Sequence, residues 1–303
     1  MAVWLITGGA GFIGSHLAEA LLAGGQQVRV LDDLSSGDAA NLPAGVELIR
    51  GSVTDAAAVA TAMAGVTGCY HLAAIASVER ANADWAGVHR VNLGGTVTVF
   101  EAAAQAHARV VYASSAAVYG RATTLPVDED QPTRPLSPYG ADKLGCELHA
   151  AAGAEVHGLD AVGLRFFNVY GPRQDPRSPY AGVIARFIGR AQAGLALTVN
   201  GDGGQIRDFV HVDDAVAALL RAMATGRAGA AVANIATGRP TSILDLARAI
   251  NRLAGSTQAV EHGPARPGDI RESLGTTARA EAAFGFTARV PVEDGLKRLM
   301  AAG

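Results

Sequence analysis

Residues 7–14 form a glycine-rich turn with the sequence Thr7-Gly8-Gly9-Ala10-Gly11-Phe12-Ile13-Gly14. An apolar run from Val3 to Thr7 predicts a strand before this turn, and the pattern from Gly14 to Ala23 predicts a helix after it. Glycines in such a turn let the backbone approach a pyrophosphate, to which the helix N-terminus offers N–H donors. They satisfy GxGxxG from Gly9 and GxxGxxG from Gly8 alike, so the pattern leaves the register open.

Asp32 ends the second predicted strand, where a carboxylate can accept hydrogen bonds from the hydroxyls of an adenine ribose. The same charge repels a 2′-phosphate, and no arginine or lysine occurs between Asp32 and Arg50. The turn and the carboxylate together therefore predict a site for NAD rather than NADP.

Strand-like and helical patterns alternate along the first half of the chain. Further strands are predicted at 28–31, 47–49, 69–72, 110–113 and 162–166, and further helices at 56–64, 91–106 and 139–157. This alternation is typical of a doubly wound parallel α/β sheet of Rossmann type. Beyond Gly171 the alternation of strands and helices ends, and loop-rich, proline-containing segments follow. We therefore expect an NAD-binding domain over 1–170, onto which 209–235 packs back, and a smaller C-terminal substrate domain over 171–303.

Tyr139 and Lys143 stand four residues apart in a predicted helix, so their side chains share one face. A free tyrosine, with a pKa of about 10, is a poor base at neutral pH, but a nearby ammonium and a positive nicotinamide ring both stabilise its phenolate. Ser115 follows the strand that begins at Val110, at the carboxyl edge where ligands bind in such sheets. Its hydroxyl could hydrogen-bond the same substrate oxygen as Tyr139. These three residues are the predicted catalytic group.

The composition excludes several classes of protein. Of the 303 residues, 49% are hydrophobic and 17% are charged, which is too apolar for a disordered chain. A net charge of −3 gives no general basic field, so nucleic acid is not an expected partner. No apolar run reaches the roughly 18 residues of a membrane span and no basic leader precedes the first strand, so we expect a cytoplasmic protein with no membrane partner. The two cysteines, Cys69 and Cys146, predict neither a disulfide framework nor a metal site.

The ordered motifs resemble the extended short-chain dehydrogenase/reductase family, and are most like its UDP-glucose 4-epimerase branch. Besides the glycine-rich turn and the Tyr139/Lys143 pair, the motifs lie at residues 31–35, 71–74, 92–96, 114–115, 164–173, 201–214 and 266–269. The resemblance runs from Ile6 to about Ala280. It implies an NAD-dependent nucleotide-sugar isomerase whose C-terminal domain binds the nucleotide sugar.

The resemblance also implies roles for individual residues. Those expected to hold NAD are Gly8, Gly11, Phe12, Ile13 and Gly14 at the pyrophosphate, Asp32, Asp33, Leu34, Ser35, Ser36 and Gly37 around the ribose, Ser52 and Val53 at the adenine, and Leu72, Ala73, Ala74, Asn92, Phe167, Tyr139 and Lys143 along the rest of the cofactor. Those expected to contact the UDP-sugar are Ser115, Tyr139, Asn168, Arg207, Arg266, Asp269 and Ser273. The two arginines are expected to clamp the phosphates, because a guanidinium fork matches phosphate oxygens.

Two alanines beside Ser115 narrow the expected reaction. Family members that dehydrate nucleotide sugars carry an Asp-Glu pair where this chain has Ala116 and Ala117. At the second of these positions the decarboxylases carry Glu, and enzymes that epimerise at carbons 3 and 5 carry cysteine. Alanine supplies no acid or base, so elimination and carbanion chemistry lose their proton carrier. The expected reaction is therefore 4-epimerisation of a UDP-hexose through a transient 4-keto sugar.

Three further departures bear on the cofactor and the sugar. Ser52 stands where an aspartate commonly meets the adenine amino group, and Ala76 stands where some 4-epimerases carry a lysine, so tight retention of NAD is less expected. Ser273 resembles the gate of the sugar pocket, where a small residue leaves room for N-acetyl groups. UDP-glucose, UDP-galactose and their N-acetyl counterparts are the expected substrates, with UDP-glucuronate 4-epimerase and sugar dehydrogenase as alternatives. A homodimer through the helices near 92–106 and 139–157 is also expected.

Overall fold

The computed structural model describes residues 2–174, 182–225, 229–266 and 269–301. The strands within these ranges are β1 Val3–Thr7, β2 Gln27–Asp32, β3 Glu47–Arg50, β4 Gly68–His71, β5 Arg109–Ser115, β6 Ala161–Phe166, β7 Asn168–Tyr170, β8 Leu197–Asn200, β9 Ile206–His211, β10 Ala230–Ile235, β11 Pro240–Ser242, β12 Val260–Gly263 and β13 Glu272–Ser273. The α-helices are α1 Phe12–Ala23, α2 Ala56–Met63, α3 Val78–Ala83, α4 Trp85–His89, α5 Gly95–Gln105, α6 Pro138–His157, α7 Val183–Gln192, α8 Val212–Ala224, α9 Ile243–Leu253, α10 Ala278–Phe284 and α11 Val292–Ala301.

Seven parallel strands form the central sheet in the order β10-β6-β5-β4-β1-β2-β3. The order reverses between β1 and β4, and ligands bind at such a reversal, outside the carboxyl ends of the strands. The predicted Rossmann-type fold is confirmed. The strand β10 comes from the second half of the chain and pairs with β6 over its whole length.

Alternation of side chains along the strands produces two apolar cores, one on each face of the sheet. On β1, Ile6 packs with residues of α1 and α8, whereas its neighbour Leu5 packs with residues of α2, α5 and α6. Both side chains are fully buried. Because the central strands are covered on both faces, continuous apolar runs rather than alternating ones mark these strands in the sequence.

A third apolar core lies in the second half of the chain. It is built from α7, α9, α11, β8 and Phe209 of β9. Two small sheets belong to this half: β9 pairs with β7, β11 and β13, and β8 pairs with β12. The strands β7, β9 and β13 bring Asn168, Arg207 and Ser273 into one small sheet, and Arg207 and Ser273 are direct register partners.

Two helix boundaries differ from the sequence expectation. The helix α1 begins at Phe12 rather than Gly14, because Gly11 already occupies the N-cap position. The helix expected over 91–106 instead starts as a π-helical turn, Arg90–Gly94, before α5 continues it. Within that turn, the side-chain amide of Asn92 accepts a hydrogen bond from the N–H of Ile75 and donates one to its carbonyl oxygen. The apolar pattern of the sequence does not indicate this contact. Among the described helices, none is long and apolar enough to cross a membrane.

Candidate active site

The structure resolves the register of the glycine-rich turn in favour of Gly8, Gly11 and Gly14. Gly8 has φ +70°, and a Cβ there would lie 2.7 Å from the backbone nitrogen of Ala73. A Cβ on Gly14 would lie 2.3 Å from the carbonyl oxygen of Gly8, so the helix approaches the turn as closely as a glycine allows. Gly9 serves packing, since a Cβ there would meet Val30. The result is a compact cradle at the N-terminus of α1.

The first turn of α1 supplies the donors of this cradle. Phe12 and Ile13 pack their side chains against the core on that face of the sheet, so the backbone rather than the side chains faces the turn. The N–H groups in the first turn of a helix have no partner within the helix. Together with the helix dipole they suit a bound pyrophosphate.

The carboxylate of Asp32 is buried beside the cradle and organises two loops. Its two oxygens accept the backbone N–H groups of Ala10 at 2.9 Å and Leu34 at 2.8 Å. Leu34 adopts a left-handed φ of 58°, and Asp33 accepts from the N–H of Ser35. Each carboxylate oxygen has two lone pairs, so Asp32 keeps capacity for ribose hydroxyls.

The loop after Asp32 packs directly on the glycine-rich turn. Ser36 and Gly37 lie in this loop, and a Cβ on Gly37 would come within 2.9 Å of the carbonyl carbon of Ala10. The N–H of Asp38 then donates to the carbonyl oxygen of Ala10. The residues expected around the ribose therefore lie against the residues expected at the pyrophosphate.

A directed chain of hydrogen bonds holds the opposite side of the cradle. The Ala73 N–H donates to the hydroxyl of Thr7, which lies 2.7 Å from Nδ1 of His71, and Nε2 of His71 lies 2.9 Å from the Thr96 hydroxyl. Because Thr96 donates its own hydrogen to the carbonyl of Asn92, it accepts from Nε2, and Nδ1 accepts from Thr7. Residues 72–74 and Asn92 are thereby locked to β1 and β4.

Burial, reinforced by the charge of Lys143, lowers the pKa of His71 to about 3. The imidazole is therefore neutral at pH 7, in agreement with its role as one donor and one acceptor. It acts here as a structural link between β1, β4 and α5.

The adenine end shows the effect of Ser52 on its surroundings. Its hydroxyl lies 2.9 Å from that of Thr54, while Val53 is buried under Gly95. Asp55 caps α2 through the N–H groups of Ala57 and Ala58, so its carboxylate is already engaged. The cradle, the donors of α1 and the carboxylate of Asp32 fit NAD.

Tyr139 and Lys143 lie one turn apart at the start of α6. Ser137 caps this helix by accepting the N–H of Gly140, and Pro138 occupies its first turn, where proline is favoured. The ammonium of Lys143 is buried, donates to the carbonyl oxygen of Ala113 at 2.8 Å, and lies 5.9 Å from the centre of the Tyr139 ring. It therefore places a positive charge over the tyrosine ring.

A cavity of about 610 Å³ brings two of the predicted catalytic residues together with the predicted substrate residues, while Lys143 is buried behind Tyr139 and does not line it. Ser115, Tyr139, Phe167, Asn168, Arg207, Arg266, Asp269 and Ser273 all line it. Sequence reasoning missed other lining residues, among them Val78, Glu79, Asn82, Tyr119, Leu136 and Glu272. Tyr119 lies in the segment that follows Ser115 and could have been found there, but Glu79 and Asn82 lie on α3, whose sequence carries no distinguishing signal.

Acidic partners hold both arginines of the cavity. Arg207 donates to Asp269 at 2.6 Å and to the carbonyl oxygens of Ile206 and Ile270 at 2.8 Å. Arg266 lies 3.4 Å from Glu79, and both of these side chains are about half exposed. A phosphate group would compete with these carboxylates for the guanidinium groups.

A dinucleotide cradle beside a Ser/Tyr/Lys group at the edge of a doubly wound sheet defines a short-chain dehydrogenase/reductase. The chain belongs to the NAD dependent epimerase/dehydratase family, whose model matches residues 4–236.

Several relatives are similar to this chain over its whole length. A UDP-glucose 4-epimerase of Mycolicibacterium smegmatis is 39% identical over 97% of this chain and 96% of its own. The structure of a Thermotoga maritima UDP-glucose 4-epimerase with UDP-glucose has a TM-score of 0.95 at 34% identity, covering 99% and 97% of the two chains. A UDP-N-acetylglucosamine 4-epimerase from Methanobrevibacter ruminantium gives the same values. Relatives named dTDP-glucose 4,6-dehydratase reach 38% identity, so the site rather than the family must select the reaction.

Proposed function

We propose that this protein interconverts the 4-epimers of a UDP-hexose, with NAD as its cofactor. The observation that carries the proposal is the wall of the cavity beside Tyr139. Ser115 is followed on that wall by Ala116 and Ala117, so methyl groups stand where dehydration needs an acid and a base. The carboxylates of Glu79 and Asp269, which also line the cavity, pair with Arg266 and Arg207.

The side chains of this chain account for the proton transfers. Tyr139 accepts the proton of the sugar 4-hydroxyl, because the ammonium of Lys143 beside it stabilises the phenolate. Ser115 already accepts the N–H of Ala117, so its own hydroxyl hydrogen is free to donate to the same sugar oxygen. The glycine-rich turn and Asp32 would hold NAD, which would supply the hydride acceptor and donor for carbon 4 of the sugar. Tyr139 then gives the proton back.

Each face of the hexose ring can meet the hydride site in turn if the hexose rotates while the UDP group stays bound. Arg207 and Arg266 come from β9 and from the segment after β12, away from the helix that carries Tyr139. Binding energy from the nucleotide therefore retains the keto sugar without fixing the hexose ring.

Ser273 bears on which sugars are accepted. It lines the cavity as a small residue next to Arg207 in the small sheet, which supports room for an N-acetyl group. The similarity to a UDP-N-acetylglucosamine 4-epimerase also supports acceptance of N-acetyl sugars. We therefore include UDP-GlcNAc and UDP-GalNAc among the proposed substrates.

An endpoint assay tests the proposal. The purified protein is incubated with NAD and, separately, UDP-galactose, UDP-GalNAc and UDP-glucuronate, and the products are separated by chromatography while NADH absorbance is followed. We expect the gluco epimers of the first two substrates without net NADH. Conversion of UDP-glucuronate alone would assign the glucuronate alternative, and steady NADH formation would replace epimerisation by dehydrogenation.

We also propose that the protein is a cytoplasmic homodimer. Leu148 and Val156 on α6 are 63% and 72% exposed, which supports contact of this helix with a second copy. Sedimentation should give a dimer, and Leu148→Glu should weaken it; a monomeric native protein would contradict this part.

A further inference from the structure

A connected group of buried polar side chains lies behind the cavity and ties α6 to the central sheet. Glu147 on α6 accepts hydrogen bonds from Arg165 on β6, Nε to Oε1 at 2.9 Å and Nη2 to Oε2 at 2.7 Å. The hydroxyl of Ser114 on β5 donates to the same carboxylate at 2.5 Å. Ser114 and Arg165 are register partners on neighbouring strands, so Glu147 bridges the ends of both.

Arg165 extends this connection to the wall of the cavity. Its Nη1 donates to the hydroxyl of Tyr119 at 2.8 Å, and its guanidinium lies 4.9 Å from the centre of the Tyr119 ring. Tyr119 lines the cavity and donates in turn to Oδ1 of Asn234 on β10 at 2.7 Å. One guanidinium thus joins the helix that carries Tyr139 to the wall that faces the sugar.

The stability of the fold alone does not account for such a pair. Both side chains of the Glu147–Arg165 pair are at least nine-tenths buried, and removing two charges from water offsets most of their attraction. Burial by itself would lower the pKa of Arg165, but the hydrogen bonds and charge of Glu147 outweigh it and raise that pKa, so the guanidinium stays charged. Apolar pairs of similar volume are often as stabilising in such places.

We propose that the Glu147–Arg165 pair is a positioning device that holds Tyr139 and Ser115 at a fixed separation for proton transfer. Glu147 continues the face of α6 that carries Tyr139 and Lys143, at a further interval of four residues, and Ser114 directly precedes Ser115. The pair therefore fixes α6, about two turns beyond Tyr139, against the strand that ends at Ser115. This inference rests on the proposed function, since it concerns the residues that reaction uses.

Loss of the pair should lower kcat rather than raise KM. A misplacement of 1 Å at reacting groups can reduce the rate about 100-fold. The arginines expected to hold UDP are carried by other elements, so the KM for the UDP-sugar should change by less than about twofold. A looser α6 also holds the first turn of the helix, and with it Tyr139, less firmly against β5.

Matched variants separate positioning from stability. Ser114→Ala, Glu147→Gln and Arg165→Lys each remove part of the network, and Glu147→Leu/Arg165→Met replaces the pair by apolar side chains. Glu47→Gln is the control, because Glu47 forms an exposed pair with Arg29 far along the sheet at β3. The readouts are kcat, KM, the melting temperature and, without substrate, amide hydrogen exchange in the first turns of α6 around Tyr139.

The expected result is a kcat reduced by about tenfold or more in Ser114→Ala and Glu147→Gln, with an unchanged KM and faster amide exchange around Tyr139. The apolar double variant should recover the melting temperature but not kcat. A kcat within about twofold of the native value in a folded single variant, or recovery of kcat by the apolar pair, would overturn the inference. If Glu147→Gln fails to fold, the kcat and KM of Ser114→Ala and Arg165→Lys test the inference in its place. If the native protein and Glu47→Gln both fail to epimerise, the proposed function is wrong, while amide exchange around Tyr139 still tests the positioning.

Discussion

The ammonium of Lys143 faces the ring of Tyr139 and is held to β5 by the carbonyl oxygen of Ala113. The strand that holds the ammonium also ends at Ser115, so the base, its charged partner and the second hydroxyl are fixed relative to one another. This arrangement places a positive charge beside the phenol before any ligand enters. It is the local feature from which the proposed proton transfer follows.

Removing the Tyr139 hydroxyl should abolish most of the turnover. In Tyr139→Phe we expect kcat to fall by about 10²- to 10⁴-fold, because a positioned general base contributes on that scale. Tyr170→Phe is the matched control, since the hydroxyl of Tyr170 donates to the carbonyl of Val292 and is absent from the cavity lining. Steady-state kinetics with UDP-galactose and circular dichroism check both variants. A Tyr139→Phe protein with near-native kcat would remove the base from the mechanism.

A Cβ at Gly8 should destroy the cofactor cradle. Gly8 and Gly25 have similar positive φ values of 70° and 73°, but a Cβ at Gly25 meets nothing within 4 Å. Gly25→Ala should therefore show only backbone strain, about 1–2 kcal/mol of unfolding free energy, with unchanged NAD affinity. Gly8→Ala adds the clash with Ala73 and should weaken NAD binding at least tenfold in titration calorimetry. Equal NAD affinities of the two variants would contradict the assigned register.

Acid should destabilise the fold through His71. The unfolded chain protonates this imidazole near pH 6.5, whereas in the folded chain its pKa is about 3, so the stability that it contributes is present above pH 6.5 and lost as the pH falls towards 3. At pH 5 the loss amounts to about 2 kcal/mol. Urea unfolding at pH 7 and pH 5 measures this, with His71→Gln as the comparison. The native protein should lose more stability than the variant; equal losses would mean that His71 does not carry this effect.

The two arginines of the cavity should act on substrate binding. Arg207→Ala and Arg266→Ala each remove a charged donor expected at a phosphate, and hydrogen bonds to charged groups contribute about 1.5–3 kcal/mol. We expect the KM for UDP-galactose to rise about 10- to 100-fold in each. Arg271→Ala is the control, because Arg271 pairs with Asp202 and does not line the cavity. A KM that rises as much in Arg271→Ala would show that the effect is not specific to the cavity.

The gate hypothesis makes a separate prediction for Ser273. In Ser273→Tyr the larger side chain should reduce kcat/KM for UDP-GalNAc far more than for UDP-galactose. Ser273→Ala is the control for loss of the hydroxyl and should keep both activities. Equal effects of the tyrosine on the two substrates would place the N-acetyl group elsewhere in the cavity.

The sequence alone predicts the sheet and much of the site, for identifiable reasons. The buried parallel strands are continuous apolar runs, and Gly8, Asp32 and the Tyr139/Lys143 pair stand in local motifs whose spacing has a direct geometric meaning. The glycine register could not be decided, because both patterns fit until the φ of Gly8 and the contact of Gly14 with Gly8 are known. The Glu147–Arg165 pair joins the consecutive elements α6 and β6, but its contact depends on how the helix packs on the sheet, and such pairings leave no periodic signal.

The π-helical turn at Asn92 was missed for a related reason. Its composition suits an ordinary helix, and only the contact of its amide with Ile75 sets it apart. The ion pair of Arg266 with Glu79 on α3 likewise depends on the tertiary fold.

The fate of the hydrogen at carbon 4 of the sugar distinguishes hydride transfer from removal of a proton. UDP-galactose carrying deuterium at that carbon is incubated with the protein and NAD in ordinary water, and the UDP-glucose formed is analysed by NMR and mass spectrometry. We predict that the deuterium is retained at carbon 4, because the same hydrogen leaves and returns on the opposite face while Tyr139 exchanges only the hydroxyl proton. Loss of the label to solvent would contradict the account, since it would require a carbon acid and a proton carrier, where Ala116 and Ala117 offer none.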